Sequence, residues 1–225
     1  MTDKLLLPRG ITVREKVNPG RVNLPEALGK LHSGRFTGYL RFDTPKGTGL
    51  LTFHQGSLMD ALFEGEQSSL VSFDAVARIF EQSLLGESTL DIYRLSPDLA
   101  LQVHSLLHGK VLARGRDLAR TDIRALLRRV KETRLNACLR VYAGERVVLI
   151  FFRNGRSLGF FHDGGKEIED AADLSASVAR LPGAKFDILK VLPFNHSVPP
   201  DLMESAGLAD LWKQSQQLAK RQQGA

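Results

Sequence analysis

A segment that recurs at a fixed offset constrains a fold more tightly than local propensity does, because both copies must be able to adopt one structure. Asn23–Gly56 lies over Asp122–Gly155 without a gap at a constant offset of 99. Arg35, Leu40 and Arg41 meet Arg134, Leu139 and Arg140. Leu28, Leu50, Phe53 and Gly56 meet Leu127, Leu149, Phe152 and Gly155. Past the glycines the register slips, yet Leu90-Asp91-Ile92 is matched by Phe186-Asp187-Ile188, and Pro97-Asp98-Leu99 by Pro200-Asp201-Leu202. Matches in one order along the chain point to a duplicated module.

Each copy reads as the same elements. Leu24, Ala27, Leu28 and Leu31 follow the spacing of a helix with one buried stripe, and Ile123, Leu126, Leu127 and Val130 repeat it. Asn23 and Asp122 precede the stripes, where a side-chain oxygen can cap free backbone N–H groups. Strands are expected at Gly38–Phe42 and Gly49–Phe53, and again at Ala137–Tyr142 and Val147–Phe152. The turns His54-Gln55-Gly56 and Arg153-Asn154-Gly155 lead into third strands at Leu58–Phe63 and Ser157–His162. A helix (about Phe73–Leu84 and Ile168–Leu181), a fourth strand (Thr89–Tyr93 and Lys185–Val191) and a closing helix complete each copy. Strands joined by short turns are antiparallel, so the expected class is α+β: two tandem repeats, each a small antiparallel sheet with helices packed on it. The expected organisation is an N-terminal arm (1–22), a first module (23–109), a flexible basic linker (110–121), a second module (122–215) and a disordered tail (216–225).

Gly38-Tyr39-Leu40-Arg41-Phe42, followed by Leu50-Leu51-Thr52-Phe53-His54-Gln55-Gly56-Ser57-Leu58-Met59-Asp60-Ala61, resembles the PATAN family of bacterial signalling proteins. Gly38, Gly56 and Ala61 match the family's small residue before the first strand, its glycine turn and the alanine of its third strand. The second copy keeps Gly155 and departs at Ala137 and Phe160–Phe161, so it reads as diverged. The resemblance implies a non-catalytic bacterial signalling or scaffold protein that binds a protein partner, and it carries over no catalytic residue.

The residues themselves argue against chemistry. His104 and His108 lie four apart, a spacing that suits a metal, but the Glu of an HExxH motif is missing and Leu99, Val103, Leu106 and Leu107 make the stretch a core helix. Gly109-Lys110 is followed by valine and has no upstream glycine, so it is no phosphate loop. Asp163-Gly164-Gly165 reads as a turn, and Cys138 as a small buried hydrophobe. No catalytic residue, metal site or cofactor is expected. No apolar run approaches the roughly 20 residues of a membrane span, and Leu5–Leu7 before Pro8 is too short for a secretory leader. A single cysteine fits a reducing compartment, so the expected location is the cytoplasm.

Net charge is +6 and the sequence pI near 9.6, and the excess is local. Between Lys110 and Lys131 stand six arginines and two lysines against only Asp117 and Asp122. The candidate anion- or partner-binding residues are Arg114, Arg116, Arg120, Arg124, Arg128 and Lys131. Arginine suits phosphate and carboxylate because its guanidinium donates paired hydrogen bonds. A protein partner is the first expectation. The alternative is nucleic acid or a cyclic dinucleotide bound through Arg114–Arg134, although no aromatic ladder accompanies the arginines. A plain solvated helix face stands beside both.

Overall fold

The computed structural model describes residues 6–66, 69–165, 167–170, 177–191, 201–205 and 207–223. The first half comprises β1 (Ile11–Val17), α1 (Leu24–Ser33), β2 (Gly38–Thr44), β3 (Gly47–His54), β4 (Ser57–Gly65), β5 (Ser69–Val71), α2 (Ser72–Leu84), β6 (Thr89–Arg94) and α3 (Pro97–Leu107). The second comprises β7 (Lys110–Asp117), α4 (Ile123–Glu132), β8 (Ala137–Ala143), β9 (Arg146–Arg153), β10 (Arg156–His162), β11 (Lys185–Lys190), α5 (Leu202–Ser205) and α6 (Leu208–Gln223). The fold is α+β, with one six-stranded sheet in the order β1-β6-β2-β3-β4-β5 and one five-stranded sheet in the order β10-β9-β8-β11-β7. Read from the β1 and β7 edges, the two sheets have the same strand order.

The duplication reaches down to single hydrogen bonds. Leu40 faces Leu51 and Ile92, while Leu139 faces Ile150 and Ile188. Both helices end in a Schellman motif whose left-handed residue is arginine: Arg35 at φ 51° and Arg134 at φ 48°. In the first copy Phe36 N–H donates to Leu31 C=O at 2.9 Å and Arg35 N–H to His32 C=O at 3.0 Å. In the second, Leu135 N–H donates to Val130 C=O at 3.0 Å and Arg134 N–H to Lys131 C=O at 3.1 Å. The following hairpins take positive φ at both central residues, Gln55-Gly56 and Asn154-Gly155, the geometry that matches strand twist. Glycine is required there for a second reason. A Cβ on Gly56 would lie 2.4 Å from His32 C=O, and one on Gly155 would lie 2.8 Å from Lys131 C=O.

The repeat is longer than its sequence match, and several boundaries move. Segment 110–117, expected as a flexible linker, is the edge strand β7. Its counterpart is β1, which lies in the expected arm. In both, a left-handed residue donates its backbone N–H to the aspartate of the neighbouring strand: Lys16 to Asp91 Oδ1 and Gly115 to Asp187 Oδ1, each at 2.7 Å. That aspartate replaces ladder bonds lost at the distortion, so the strand is held despite its charge. The described part of the expected tail, 216–223, is also helical, because α6 runs to Gln223. Of the helix expected over Ile168–Leu181, the described parts are a bridge from Glu169 to Phe160 and a 3-10 turn at Val178–Arg180; 171–176 lie outside the described residues.

The chain divides into two compact units, between which it passes within α3. The first is Thr12–Ala100 with Val198–Ala225, and the second Leu101–Ser197 with Met1–Ile11. Each therefore recruits one chain terminus. In the first unit, α1 and α2 cover one face of the sheet, and Leu24, Leu28, Leu40, Phe53, Ile79 and Phe80 form a core with Leu208 and Trp212 of α6. Trp212 meets Phe80 edge-on at 5.1 Å between ring centroids. The closing helix expected in the second module thus belongs to the first unit. In the second unit Leu139, Val141, Val178 and Phe186 form a smaller core. Its N-terminal strap is held by Arg9 N–H on Asp163 Oδ1 at 2.8 Å and by Gly164 N–H on Arg9 C=O at 2.7 Å. The Asp163-Gly164 turn therefore clasps backbone.

Candidate binding face of the second unit

Helix α4 carries the strongest local charge of the chain, and its ends are well defined. Asp122 Oδ1 accepts from Ala125 N–H at 3.0 Å at the N-terminus, and Arg129 and Lys131 sit in the last turn, where cations oppose the carbonyl end of the helix dipole. The preceding turn is tied by Asp117, which accepts from Ala119 N–H at 2.9 Å. Arg120 lies 3.7 Å from the Asp117 carboxylate in an exposed pair, an interaction of little stabilising value.

The six candidate residues are all exposed; Arg120 stands in the turn between β7 and α4, and the other five fall into two groups. Arg114 and Arg116 stand on β7 beside exposed Val111 and Leu112. Cations on an edge strand deter pairing with another sheet, and β1, the corresponding edge of the six-stranded sheet, likewise carries Arg14 and Lys16. Their charge therefore has a sufficient structural reason. Arg124, Arg128 and Lys131 form one ridge of α4. At 3.6 residues per turn, Arg124 and Lys131 are the i−3 and i+4 neighbours of Leu127, so the ridge flanks that leucine rather than lying opposite it.

Leu127 is 40% exposed. It borders a cleft between α4 and the sheet that is also lined by Leu126, Val130, Ala137, Leu139, Phe152 and Ile188, an apolar set from four elements. The stripe was legible in the sequence, but its partial exposure was not, because periodicity says which side chains face a core and not whether anything completes that core.

Beneath lies a buried polar node. Arg140 and Asp187 are 2% and 1% exposed, and Asp187 Oδ2 accepts from Arg140 Nε at 3.1 Å and Nη2 at 2.5 Å. Arg140 Nη1 also donates to Leu6 C=O at 3.4 Å. Its charge is spent inside the unit and adds nothing to the ridge. Cys138 is wholly buried, and burial pushes its thiol up to about 12. His162 Nε2 lies 2.9 Å from Glu169 Oε2, which holds the imidazole above its ordinary 6.5. His104, in the last turn of α3, and His108, one residue past its end, have ring centroids 4.8 Å apart and planes tilted by 56°. Among the described residues, no helix is long and apolar enough to cross a membrane.

Residues 5–107 match the model of a family described as an uncharacterized protein conserved in archaea (DUF2226). No curated protein and no solved structure matches. The family match covers the first repeat, including β1, and stops before β7. It overturns the resemblance to the PATAN family and, with it, the bacterial signalling context.

Proposed function

We propose that this chain is a non-catalytic binding protein that recognises an acidic protein partner through the α4 face of its second unit, in the cytoplasm. The observation that carries the reading is a half-exposed leucine over an apolar cleft, flanked by Arg124, Arg128 and Lys131. Charge alone describes any solvated helix, and an apolar cleft alone describes loose packing. Together they supply what a protein interface uses: an anchor that gains by desolvation and a cationic rim that selects and steers. The non-catalytic reading is supported by Cys138, which is sealed from solvent with its thiol pushed up to about 12, the reverse of what a nucleophile needs. Nucleic acid is the second reading, favoured by the same cations, but it leaves the apolar cleft unused.

The test is co-purification from the native host, with partners identified by mass spectrometry, repeated with Arg124→Glu/Arg128→Glu/Lys131→Glu. Loss of one acidic protein with an unchanged thermal midpoint supports the reading. Recovery of nucleic acid, lost in the same variant, supports the second.

A further inference from the structure

The two repeats carry the same helix on the same strands, but their helices are finished differently. In the first unit the C-terminal segment completes the core beside α1. Asp201 anchors it there: Oδ1 accepts from Leu58 N–H at 3.0 Å, and Oδ2 lies 3.3 Å from His32 Nδ1 at the end of α1. α6 then lays Leu208, Leu211, Trp212, Ser215 and Ala219 along one stripe, with Leu208 and Trp212 in the core that encloses Leu28. Leu28 is 0% exposed.

At the offset of 99, the counterparts of His32, Leu28 and Leu58 are Lys131, Leu127 and Ser157. Leu58 and Ser157 sit at the same irregularity of their hairpins, where the register shifts between Leu58 and Asp60 and between Ser157 and Gly159. The second unit thus repeats the receptor for such a segment, with lysine in place of histidine at the carboxylate end and a leucine left 40% exposed.

We infer that the second unit takes an acidic residue followed by an amphipathic helix from a partner protein, docked as residues 201–223 dock on the first unit. This rests on the binding reading above and gives it a ligand. The carboxylate is received by Lys131, and the apolar stripe of the helix covers Leu127 and the cleft lined by Val130, Leu139, Phe152 and Ile188. Acidic flanks meet Arg124 and Arg128. A second copy's segment is the poorer occupant by charge: its Asp201, Glu204 and Asp210 are balanced by Lys213, Lys220 and Arg221, so it brings no net attraction to the ridge.

The probe is a synthetic peptide with the sequence of residues 201–223 carrying Lys213→Glu, Lys220→Glu and Arg221→Glu, titrated by fluorescence anisotropy against the full-length protein. It is expected to bind, and to bind about tenfold more weakly or worse to Leu127→Glu and to Lys131→Glu, because each change removes one anchor of the interface. The unaltered peptide, whose acidic and basic side chains balance, is expected to bind at least about tenfold more weakly than the acidic one, as it lacks the attraction at the rim. A third peptide, acidic but with Leu208, Leu211 and Trp212 changed to serine, separates the two readings. If it binds as well as its parent, the helix inference is wrong and the acidic-partner reading stands. If neither acidic peptide binds, both are wrong. Tighter binding of the unaltered peptide overturns the inference in favour of a second copy.

Discussion

Leu28 and Leu127 occupy the same place in the two repeats, yet Leu28 is fully enclosed while two-fifths of Leu127 meets solvent. The strands beneath them pair alike, and the helices that carry them end in the same Schellman motif. The difference comes from what lies above, because α6 completes the core only in the first unit.

This asymmetry predicts unequal cost of truncation. Leu28→Ala should destabilise the protein by about 2–5 kcal/mol, since it leaves a cavity in an enclosed core. Leu127→Ala should cost about 1 kcal/mol or less, because little apolar area is lost from the interior. Urea titrations of both variants measure the difference; equal losses would show that Leu127 is a core residue.

The Arg140–Asp187 pair predicts a non-additive pair of substitutions. Arg140→Met leaves Asp187 buried and unpaired and should cost about 3–5 kcal/mol. Adding Asp187→Asn removes that charge while keeping an oxygen for Gly115 N–H, so the double variant should be more stable than the single. A double variant that loses the sum of two large effects would contradict this.

Much of the fold was legible because the duplicated residues answer to local rules. Asn23 and Asp122 marked helix starts, although only Asp122 caps its helix with its side chain, and Gln55-Gly56 and Asn154-Gly155 marked tight hairpins. What stayed hidden depends on distant chain. β7 looked like a linker because Gly115 and three cations fill it, and the partners that make it a strand, β11 and the Asp187 carboxylate that holds Gly115, lie about 70 residues away. The place of α6 was equally hidden, since its stripe of Leu208, Leu211 and Trp212 fits any apolar sheet face. The candidate ridge was read correctly as basic, but its neighbour Leu127 was taken for a buried residue. The family resemblance rested on short structural motifs that unrelated sheets also need, and the match over residues 5–107 replaced it.

Two histidines should titrate on opposite sides of 6.5. His54 is lowered, first by burial, with Asp98 opposing; His162 is raised, first by its hydrogen bond to Glu169. The contribution of His162 to stability is therefore full below pH 6.5 and fades as pH rises through its higher folded value, whereas His54 costs stability as pH falls below 6.5. NMR titration of the imidazole C–H signals reads both. His162→Gln should erase the higher transition with little loss of stability, because the pair is partly exposed.

Cys138 should be inert. A wholly buried thiol whose pKa is pushed up to about 12 supplies almost no thiolate near neutral pH. An Ellman assay should detect no free thiol in the native protein and one equivalent in denaturant. Rapid native labelling would show that the β8 face opens.

The binding face itself is tested most directly by a photo-crosslinking residue placed at position 127 in the native host. A matched probe at Leu218, an exposed leucine on α6, serves as control. The account predicts an adduct with one acidic protein from position 127 and none from 218. That adduct should weaken with added salt and vanish when Arg124, Arg128 and Lys131 are reversed to glutamate. Adducts of equal yield from both positions, or one from 127 that survives the charge reversal, would contradict it.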